Sequence, residues 1–314
     1  MMKRTGVQEK PGTLLLFDGH NVCLRAYHAL GKQNLQNDDG VGTWGVYGAF
    51  KTIIHFVNEH YPSDVVVAFD WGRSEKRLEL IPDYKANRNS SSPEHAEKYR
   101  ESRKQIELLI RLLEVFKIPT IREPNVEADD IIAKVAKNYT GKIVIISADH
   151  DLRQLVDKNT VVIKPSIGTT DKDIYDLERI QGYYGVEPNR LPEIWSLTGD
   201  TSDNIKGVPG IGEKTAISLI QKYGDLSKLM MSDEKKVQGY EEVVRTAYKA
   251  INLDGSFANV VVSNTKFEPI EPGTEGADAV LSILEELGFN SIKFKWITGT
   301  LWKGNKSSIG RSLN

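Results

Sequence analysis

The run Lys142-Ile143-Val144-Ile145-Ile146-Ser147-Ala148-Asp149-His150-Asp151 leads an apolar segment directly into a pair of carboxylates. Its apolar residues do not alternate with polar ones, which is typical of a strand covered on both faces of a parallel sheet. Runs of this kind predict strands at Leu14–Asp18, Asp64–Asp70, Ile118–Arg122, Lys142–Ala148 and Thr160–Pro165. Helical patterns lie between or beside them, at Gly45–His60, Gln105–Phe116, Glu127–Tyr139 and Leu152–Asp157. This alternation predicts an α/β fold whose mainly parallel central sheet is flanked by helices.

Carboxylates lie where three of the predicted strands end. Asp18 and Asp70 close the first two strands, and Asp149 follows the fourth. Ligands of parallel α/β sheets bind outside the carboxyl ends of the strands. We therefore expect these three side chains to lie along one edge of the sheet.

Two further acidic clusters add to this set. Glu127, Asp129 and Asp130 open a predicted helix, on which residues 127 and 130 are three apart and share a face. Asp200 and Asp203 lie in a polar segment further along the chain. Each cluster alone also has an ordinary interpretation. The acids at 127–130 could be first-turn acids that complement a helix dipole, those at 149–151 a turn with its N-cap, and those at 200–203 part of a polar loop.

Together the clusters form a set of carboxylates suited to divalent cations. Mutual repulsion would raise several of their pKa values unless cations neutralise them. Oxygen-only ligation suits Mg²⁺ or Mn²⁺, and no His/Cys pattern with zinc spacing competes. Two such ions would support phosphodiester hydrolysis. The nine candidates are Asp18, Asp70, Glu127, Asp129, Asp130, Asp149, Asp151, Asp200 and Asp203.

A glycine-rich turn, Gly207-Val208-Pro209-Gly210-Ile211-Gly212-Glu213-Lys214-Thr215, precedes an apolar helical pattern. Glycines let the backbone approach a phosphate closely, and the amides at the next helix N-terminus add favourable hydrogen bonds. The turn lacks the Gly-Lys-Ser/Thr of a P-loop. It predicts a helix-hairpin-helix element that binds a DNA backbone without reading its sequence, against the alternative of a purely structural connection.

Composition restricts the class of protein and its surroundings. The 314 residues carry a net charge of −2, and basic residues concentrate between Arg73 and Lys104 and between Lys293 and Arg311. Nucleic-acid binding depends on where charge lies, so the acidic total does not exclude it. Cys23 is the only cysteine, and neither a signal sequence nor an apolar run of membrane-spanning length is found. These features predict a cytoplasmic protein with no membrane partner.

Taken in order, the motifs resemble the 5′-nuclease superfamily, which includes bacteriophage flap endonucleases and the 5′–3′ exonuclease domain of bacterial DNA polymerase I. The resemblance runs over residues 13–260 or so. The segments that carry it are Phe17-Asp18-Gly19, Leu24-Arg25-Ala26-Tyr27-His28-Ala29, Phe69-Asp70, Tyr84-Lys85-Ala86-Asn87-Arg88, Val126-Glu127-Ala128-Asp129-Asp130, Ser147-Ala148-Asp149-His150-Asp151-Leu152 and Leu197–Thr215.

The resemblance implies roles for individual residues. A first metal site would use Asp18, Asp70, Glu127, Asp129 and Asp130, and a second would use Asp149, Asp151, Asp200 and Asp203. Lys85 and Arg88 would contact the scissile phosphate at the foot of a helical arch, and Tyr84 would stack on a terminal base. Backbone carbonyls of Leu197, Thr198, Lys206, Val208 and Ile211 would hold K⁺. Contacts to DNA are expected from Arg25, Arg77, Gly210, Gly212, Lys214 and Thr215.

The resemblance also implies an organisation and a substrate. Residues 13–180 would form the nuclease core with an arch at 85–105, and residues 181–260 the helix-hairpin-helix region. Residues 261–314 would either pack on the core or form a basic tail. The protein is expected to be a monomer, and its expected partner is DNA with a 5′ flap or 5′ end, or an RNA primer–DNA hybrid. The alternatives are a PIN-type ribonuclease, which lacks the glycine-rich turn, and a non-catalytic DNA-structure-binding protein, which would lack carboxylates.

Overall fold

The computed structural model describes residues 12–31, 35–88, 93–166, 173–261 and 265–302, and its centre is a six-stranded sheet. The strands run in the spatial order β3-β2-β1-β4-β5-β6, and every neighbouring pair is parallel except β5 and β6. The prediction of a mainly parallel sheet is therefore confirmed. The strands are β1 Thr13–Asp18, β2 Asp64–Ala68, β3 Thr120–Ile121, β4 Lys142–Ile146, β5 Thr160–Lys164 and β6 Asp173–Tyr175.

Helices cover both faces of this sheet. Along β1, Leu14 and Leu16 pack into one hydrophobic core with helices α5, α7, α8 and α10, whereas Leu15 and Phe17 pack into a second with α1, α2, α4, α11 and α12. This two-sided burial explains why the strands are apolar throughout. The helices are α1 Gly19–Leu30, α2 Trp44–His60, α3 Glu75–Leu80, α4 Pro93–Val115, α5 Ala128–Asn138, α6 Leu177–Tyr184, α7 Leu191–Thr198, α8 Glu213–Tyr223, α9 Leu226–Met230, α10 Glu241–Ile251, α11 Ala277–Glu286 and α12 Asn290–Ile297.

Four helical segments differ from the sequence-based expectation. Helices α1 and α3 were not predicted, and α1 begins directly after β1 because Asp18 serves as its N-cap. Helix α4 begins at Pro93, whereas the prediction began at Gln105. The first turns of the helix were missed because they are charged and show no apolar period. The predicted helix Leu152–Asp157 is a short 3-10 helix, Asp151–Leu155. The predicted arch at 85–105 corresponds to a 3-10 turn at Ala86–Arg88 and the first half of α4, with residues 89–92 outside the described residues.

The C-terminal third is helical and returns to the core. A small hairpin of β7 (Gly199–Asp200) and β8 (Ile205–Lys206) joins α7 to α8. Further on, Trp296 and Trp302 are buried, and Trp296 Nε1 donates to the Ile270 carbonyl at 3.0 Å. The part of the extension up to residue 302 thus packs on the core, whereas the basic residues from 303 onward lie outside the described residues. No helix within the described ranges is long and apolar enough to cross a membrane.

Candidate active site

The carboxylate that ends β1 is fixed from two sides. Asp18 Oδ1 accepts the Asn21 backbone N–H at 3.0 Å, and its Oδ2 accepts the Ser147 hydroxyl at 2.9 Å. Asn21 Oδ1 in turn accepts the Ala148 N–H at 3.0 Å, which ties the segment after β1 to the segment after β4. The adjacent strands β1 and β4 thus deliver their carboxyl-end residues to one place, as the parallel sheet predicts.

The carboxylate after β2 links that strand to α5. Asp70 Oδ1 accepts the Ala128 N–H at 2.7 Å, at the start of the helix. His20 Nδ1 accepts the Asp70 N–H at 3.1 Å, so this nitrogen carries a lone pair and its 3.7 Å approach to Asp70 Oδ2 is not an ion pair. Burial lowers the pKa of His20 despite the opposing effect of Asp70. A neutral imidazole at this position was not anticipated from the sequence.

The segment after β4 gathers three potential metal ligands. One ligand atom from each of Asp149, His150 and Asp151 lies within 4.8 Å of the others. The Asp151 N–H donates to Asp149 Oδ1 at 2.9 Å, and His150 Nε2 lies 3.2 Å from Asp151 Oδ1. The two aspartates were predicted as ligands and His150 was not, because the sequence shows no zinc-like spacing.

Eight of the nine predicted carboxylates line one cavity of about 190 Å³, together with Tyr84, Lys85 and Arg88. They come from the ends of β1, β2 and β4, from the start of α5, and from the β7–β8 hairpin. The structure therefore brings together residues up to 185 positions apart in the chain. The eight are Asp18, Asp70, Glu127, Asp129, Asp149, Asp151, Asp200 and Asp203.

Several of these acids are poorly neutralised by the protein itself. Burial, followed by repulsion from Asp70, raises the pKa of Asp18 from 3.8 to about 7. Burial also raises the pKa of Asp129 well above its ordinary value, with added repulsion from Asp149, Asp18 and Asp70. The pKa of Asp151 rises to about 7, chiefly through burial. A confined group of oxygen ligands short of positive charge is the environment that a divalent cation fits.

Lys85 and Arg88 lie at the wall of the cavity, which Arg77 also lines. Lys85 Nζ is 2.6 Å from Glu127 Oε1 and 3.6 Å from Asp203 Oδ2, and these carboxylates raise the pKa of Lys85 although burial acts to lower it. Arg88 forms an ion pair with Asp203 and keeps 54% of its side chain exposed. Both residues can therefore present positive charge to a phosphate at the cavity entrance.

Tyr84 is not available to stack on a base. It is 2% exposed, and its hydroxyl lies 2.9 Å from Glu127 Oε2 and 3.0 Å from Asp203 Oδ2. Burial and the nearby Glu127 raise its pKa, so the hydroxyl stays protonated and can donate. We reassign Tyr84 from base stacking to a bridge between the two groups of carboxylates.

Asp130 and Arg77 also require reassignment. Both oxygens of the Asp130 carboxylate contact the Arg77 guanidinium, and Asp130 is 1% exposed. Arg77 is 4% exposed and also donates to Glu127 Oε2 at 3.1 Å and to the Ala250 carbonyl at 2.8 Å. Because Arg77 is buried and four of its five N–H groups bind inside the protein, the structure does not present it to DNA, and Asp130 faces Arg77 instead of lining the cavity.

The buried pair yields a stability prediction. Asp130→Asn should lower the free energy of unfolding by about 3 kcal/mol, the lower end of the cost of breaking a buried pair, because Glu127 still contacts Arg77. Urea unfolding followed by circular dichroism measures the change. The control is Glu286→Gln, which breaks an exposed bidentate pair with Arg111 and should cost less than about 1 kcal/mol. Equal losses in the two variants would contradict the structural role of Asp130.

The raised pKa values yield a prediction for pH and metal. Asp18 and Asp151 bind protons more tightly in the folded chain than in the unfolded chain, so their contribution to stability is lost as pH rises through about 7. Mg²⁺ should restore that stability, since it binds the deprotonated acids. The melting temperature in Mg²⁺ minus that in EDTA should therefore be small at pH 5 and increase toward pH 8. A difference that does not vary with pH would contradict the raised pKa values.

The glycine-rich turn is drawn tightly against the end of α7. The Leu197 carbonyl accepts the Val208 N–H at 2.8 Å, and the Val208 carbonyl accepts the Ile211 N–H at 3.1 Å. A Cβ on Gly207 would lie 2.2 Å from the Thr198 carbonyl carbon, so only glycine fits there. Lys206 pairs with Gly199 in the β7–β8 hairpin. Each of the five predicted K⁺-binding carbonyls keeps at least one lone pair after these bonds.

The predicted DNA contacts of the turn lie on the surface. Gly210 has φ +79° and nothing within 4 Å of an added Cβ, and Gly212 is the N-cap of α8 in similarly open space. Lys214 is exposed and Thr215 is half-buried in the first turn of that helix. Free amides at a helix N-terminus beside a lysine are suited to binding a phosphate.

Arg25 on α1 is half-buried. Its Nη2 donates to the Pro165 carbonyl at 3.1 Å, and its Nε is buried without a partner among the described residues. Its contact with DNA stays a prediction.

Known proteins resemble this arrangement over most of its length. Residues 13–185 match the 5′–3′ exonuclease N-terminal resolvase-like domain, and residues 186–267 match the 5′–3′ exonuclease C-terminal SAM fold. DNA polymerase I of Bacillus caldotenax is 34% identical over 285 residues, which cover 88% of this chain and 32% of the relative. The chain thus spans about a third of the length of such relatives.

Solved structures share the fold. The bacteriophage T5 5′-exonuclease with bound zinc superposes with a TM-score of 0.68 at 22% identity, covering 88% of this chain and 99% of that one. A T5 flap endonuclease in a pseudo-enzyme–product complex with DNA and metal ions gives a TM-score of 0.64 at 20% identity, covering 92% and 98%. The chain belongs to the 5′–3′ exonuclease family of the 5′-nuclease superfamily.

Proposed function

We propose that this protein is a divalent-metal-dependent, structure-specific 5′-nuclease that hydrolyses DNA as a 5′-flap endonuclease and 5′–3′ exonuclease in replication or repair. The observation that carries the proposal is the single cavity in which eight carboxylates face Lys85 and Arg88. The relatives named DNA polymerase I and the T5 flap endonuclease bound to DNA and metal ions support the same chemistry and substrate.

The carboxylates divide into two groups that suit two cations, Mg²⁺ or in its place Mn²⁺. Asp18, Asp70, Glu127 and Asp129 would hold one, although Glu127 also accepts bonds from Lys85, Tyr84 and Arg77. Asp149, Asp151, Asp200 and Asp203 would hold the other. When bound, the cations supply Lewis acidity and a nucleophile at neutral pH.

The protein's own residues bind and orient the substrate. Lys85 and Arg88 at the cavity wall are suited to hold the scissile phosphate and to stabilise the negative charge that develops there. The exposed amides of Gly210 and Gly212 are suited to hold the duplex backbone at a distance from the cut. Hydrolysis would leave a 5′-phosphate and a 3′-hydroxyl.

Product sizes from 5′-labelled substrates test this function. A flapped DNA should yield an oligonucleotide cut near the junction, whereas a blunt duplex should yield only short 5′ products. A flap strand made of RNA measures the preference for RNA primer–DNA hybrids, and sedimentation under the same conditions tests the monomeric state. Both cleavages should stop in EDTA. Cleavage that survives EDTA, or failure to cut either DNA in Mg²⁺, would refute the proposal.

Potassium at the glycine-rich turn gives a separate prediction. If backbone carbonyls of the turn hold K⁺ beside a DNA phosphate, duplex affinity should be higher in KCl than in an equal concentration of tetramethylammonium chloride. Equal ionic strength removes the general effect of counterion release. Fluorescence anisotropy with a duplex in EDTA measures binding without cleavage. Equal affinity in the two salts would exclude a K⁺ role.

A further inference from the structure

Two short segments meet face to face at the cavity. The cation loop, Asp83–Arg88, carries Lys85 and Arg88, and the acid turn, Thr201–Asn204, carries Asp203. They are more than 100 residues apart in the chain and lie in the separately matched regions 13–185 and 186–267. Contacts that hold the cation loop against the acid turn therefore also hold Lys85 and Arg88 against Asp203.

Two asparagine side chains tie these segments together reciprocally. Asn87 on the cation loop donates through Nδ2 to the Thr201 carbonyl at 2.7 Å, and Asn204 on the acid turn donates through Nδ2 to the Asp83 carbonyl at 2.7 Å. Between these two bonds, the Lys85 backbone N–H donates to the Asp203 carbonyl at 2.9 Å. Each segment thus supplies a side-chain amide that grips the backbone of the other.

The backbone at this junction is strained. Lys85 has φ +55° and Asn204 has φ +59°, both in the left-handed region. Asparagine tolerates that region, but it is uncommon for a lysine. Such conformations persist at functional sites only where the surroundings over-determine them. The bonds across the junction provide that restraint for Lys85.

We propose that Asn87 and Asn204 form an amide clamp that positions Lys85 and Arg88 for phosphodiester hydrolysis. With both asparagine bonds formed, Lys85 Nζ lies between Glu127 and Asp203, and Arg88 pairs with Asp203. Both asparagines are positioning residues, because they reach the substrate only through the cations that they place. The inference rests on the proposed nuclease function and adds two residues to its machinery.

Two single variants and a control test the clamp. Asn87→Ala removes one amide, and Asn204→Gly removes the other while still permitting a positive φ. Each should lower kcat on a 5′-flap DNA by about 10- to 100-fold, the cost of a small misplacement of catalytic groups. Duplex affinity in EDTA should be unchanged. The control is Asn138→Ala, which removes an exposed Nδ2–carbonyl bond of the same 2.7 Å length on α5 and should leave kcat unchanged.

A background without the two cations separates positioning from folding. If the clamp acts through Lys85 and Arg88, Asn87→Ala should cost little extra kcat in a Lys85→Ala/Arg88→Ala background, whereas a general folding defect would lower kcat and melting temperature in both backgrounds. Asn87→Gln, which keeps the donor, should recover part of the rate. Wild-type rates in the Asn87 and Asn204 variants, or a full additional loss from Asn87→Ala in the background without Lys85 and Arg88, would overturn the clamp alone. An inactive wild-type protein would overturn the nuclease function, and the clamp with it.

Discussion

Replacing Asp129 with asparagine is expected to abolish phosphodiester hydrolysis while raising the melting temperature of the metal-free protein. Burial raises the pKa of Asp129 well above its usual value, and Asp149, Asp18 and Asp70 repel its charge. Asparagine keeps the shape and removes the charge, so the metal-free site becomes less unfavourable. It also removes an anionic oxygen ligand, and we expect the cleavage rate to fall at least about 10³-fold, or roughly 4 kcal/mol of barrier.

Single-turnover cleavage of a 5′-flap DNA measures the first effect, and calorimetry in EDTA measures the second. The matched control is Asp278→Asn, because Asp278 is also a first-turn acid, is exposed on α11 and does not line the cavity. It should change neither quantity. A loss of cleavage together with a gain in melting temperature would distinguish Asp129 as a functional acid from an ordinary surface acid such as Asp278. An Asp129→Asn variant that loses stability, or one that cleaves normally in Mg²⁺, would refute the role of Asp129.

The sheet and its acidic edge could be predicted from the sequence because their signals are local. An apolar run such as Ile143-Val144-Ile145-Ile146 reports a strand buried on both faces, and the acid that follows it reports the end of that strand. Parallel pairing then places Asp18, Asp70 and Asp149 together without knowledge of any side-chain contact. The same reasoning missed β6, whose three residues are too few to show a pattern.

The start of α5 shows where spacing was informative and where it misled. Residues 127 and 130 share a direction as predicted, but the group they share is the Arg77 guanidinium. One residue is about 100° of helix rotation, so Asp129 points into the cavity and Asp130 does not, whereas Glu127, the N-cap, contacts Arg77 and also lines the cavity. The spacing predicted the relative directions of the acids but not which of them faces the cavity. That depends on Arg77, which contacts Glu127 from 50 positions earlier in the chain.

Long-range hydrogen bonds account for the functional residues that the sequence did not reveal. Ser147 reaches Asp18 across 129 positions, and Asn87 reaches Thr201 across 114. Serine and asparagine are ordinary turn residues, so their presence near an acid in the sequence does not indicate a functional role. Tyr84 was expected to stack on a base because the resemblance to the 5′-nuclease superfamily implied that role, yet its hydroxyl contacts two buried carboxylates.

Lys85→Ala is expected to slow the chemical step far more than it weakens DNA binding. Its Nζ is held inside the cavity wall, 2.6 Å from Glu127, rather than on the open surface where a duplex first docks. A fixed cation acts where charge develops in the transition state, so kcat should fall by about 10²- to 10³-fold. The exposed turn around Gly210 and Gly212 should keep duplex affinity near the wild-type value.

Single-turnover rates on a 5′-flap DNA and anisotropy in EDTA measure the two quantities for Lys85→Ala. The control is Lys137→Ala, because Lys137 is exposed on α5 and its Nζ donates to the Asp254 carbonyl at 3.4 Å, outside the residues that line the cavity. It should change neither value. A Lys85→Ala variant whose affinity falls as far as its rate would show that Lys85 serves ground-state binding, since an interaction made only in the transition state lowers kcat without changing affinity. Lys85→Ala should also change metal affinity. Without Lys85 the Glu127 carboxylate has less neutralising charge, so Mg²⁺ should bind more tightly even as the rate falls.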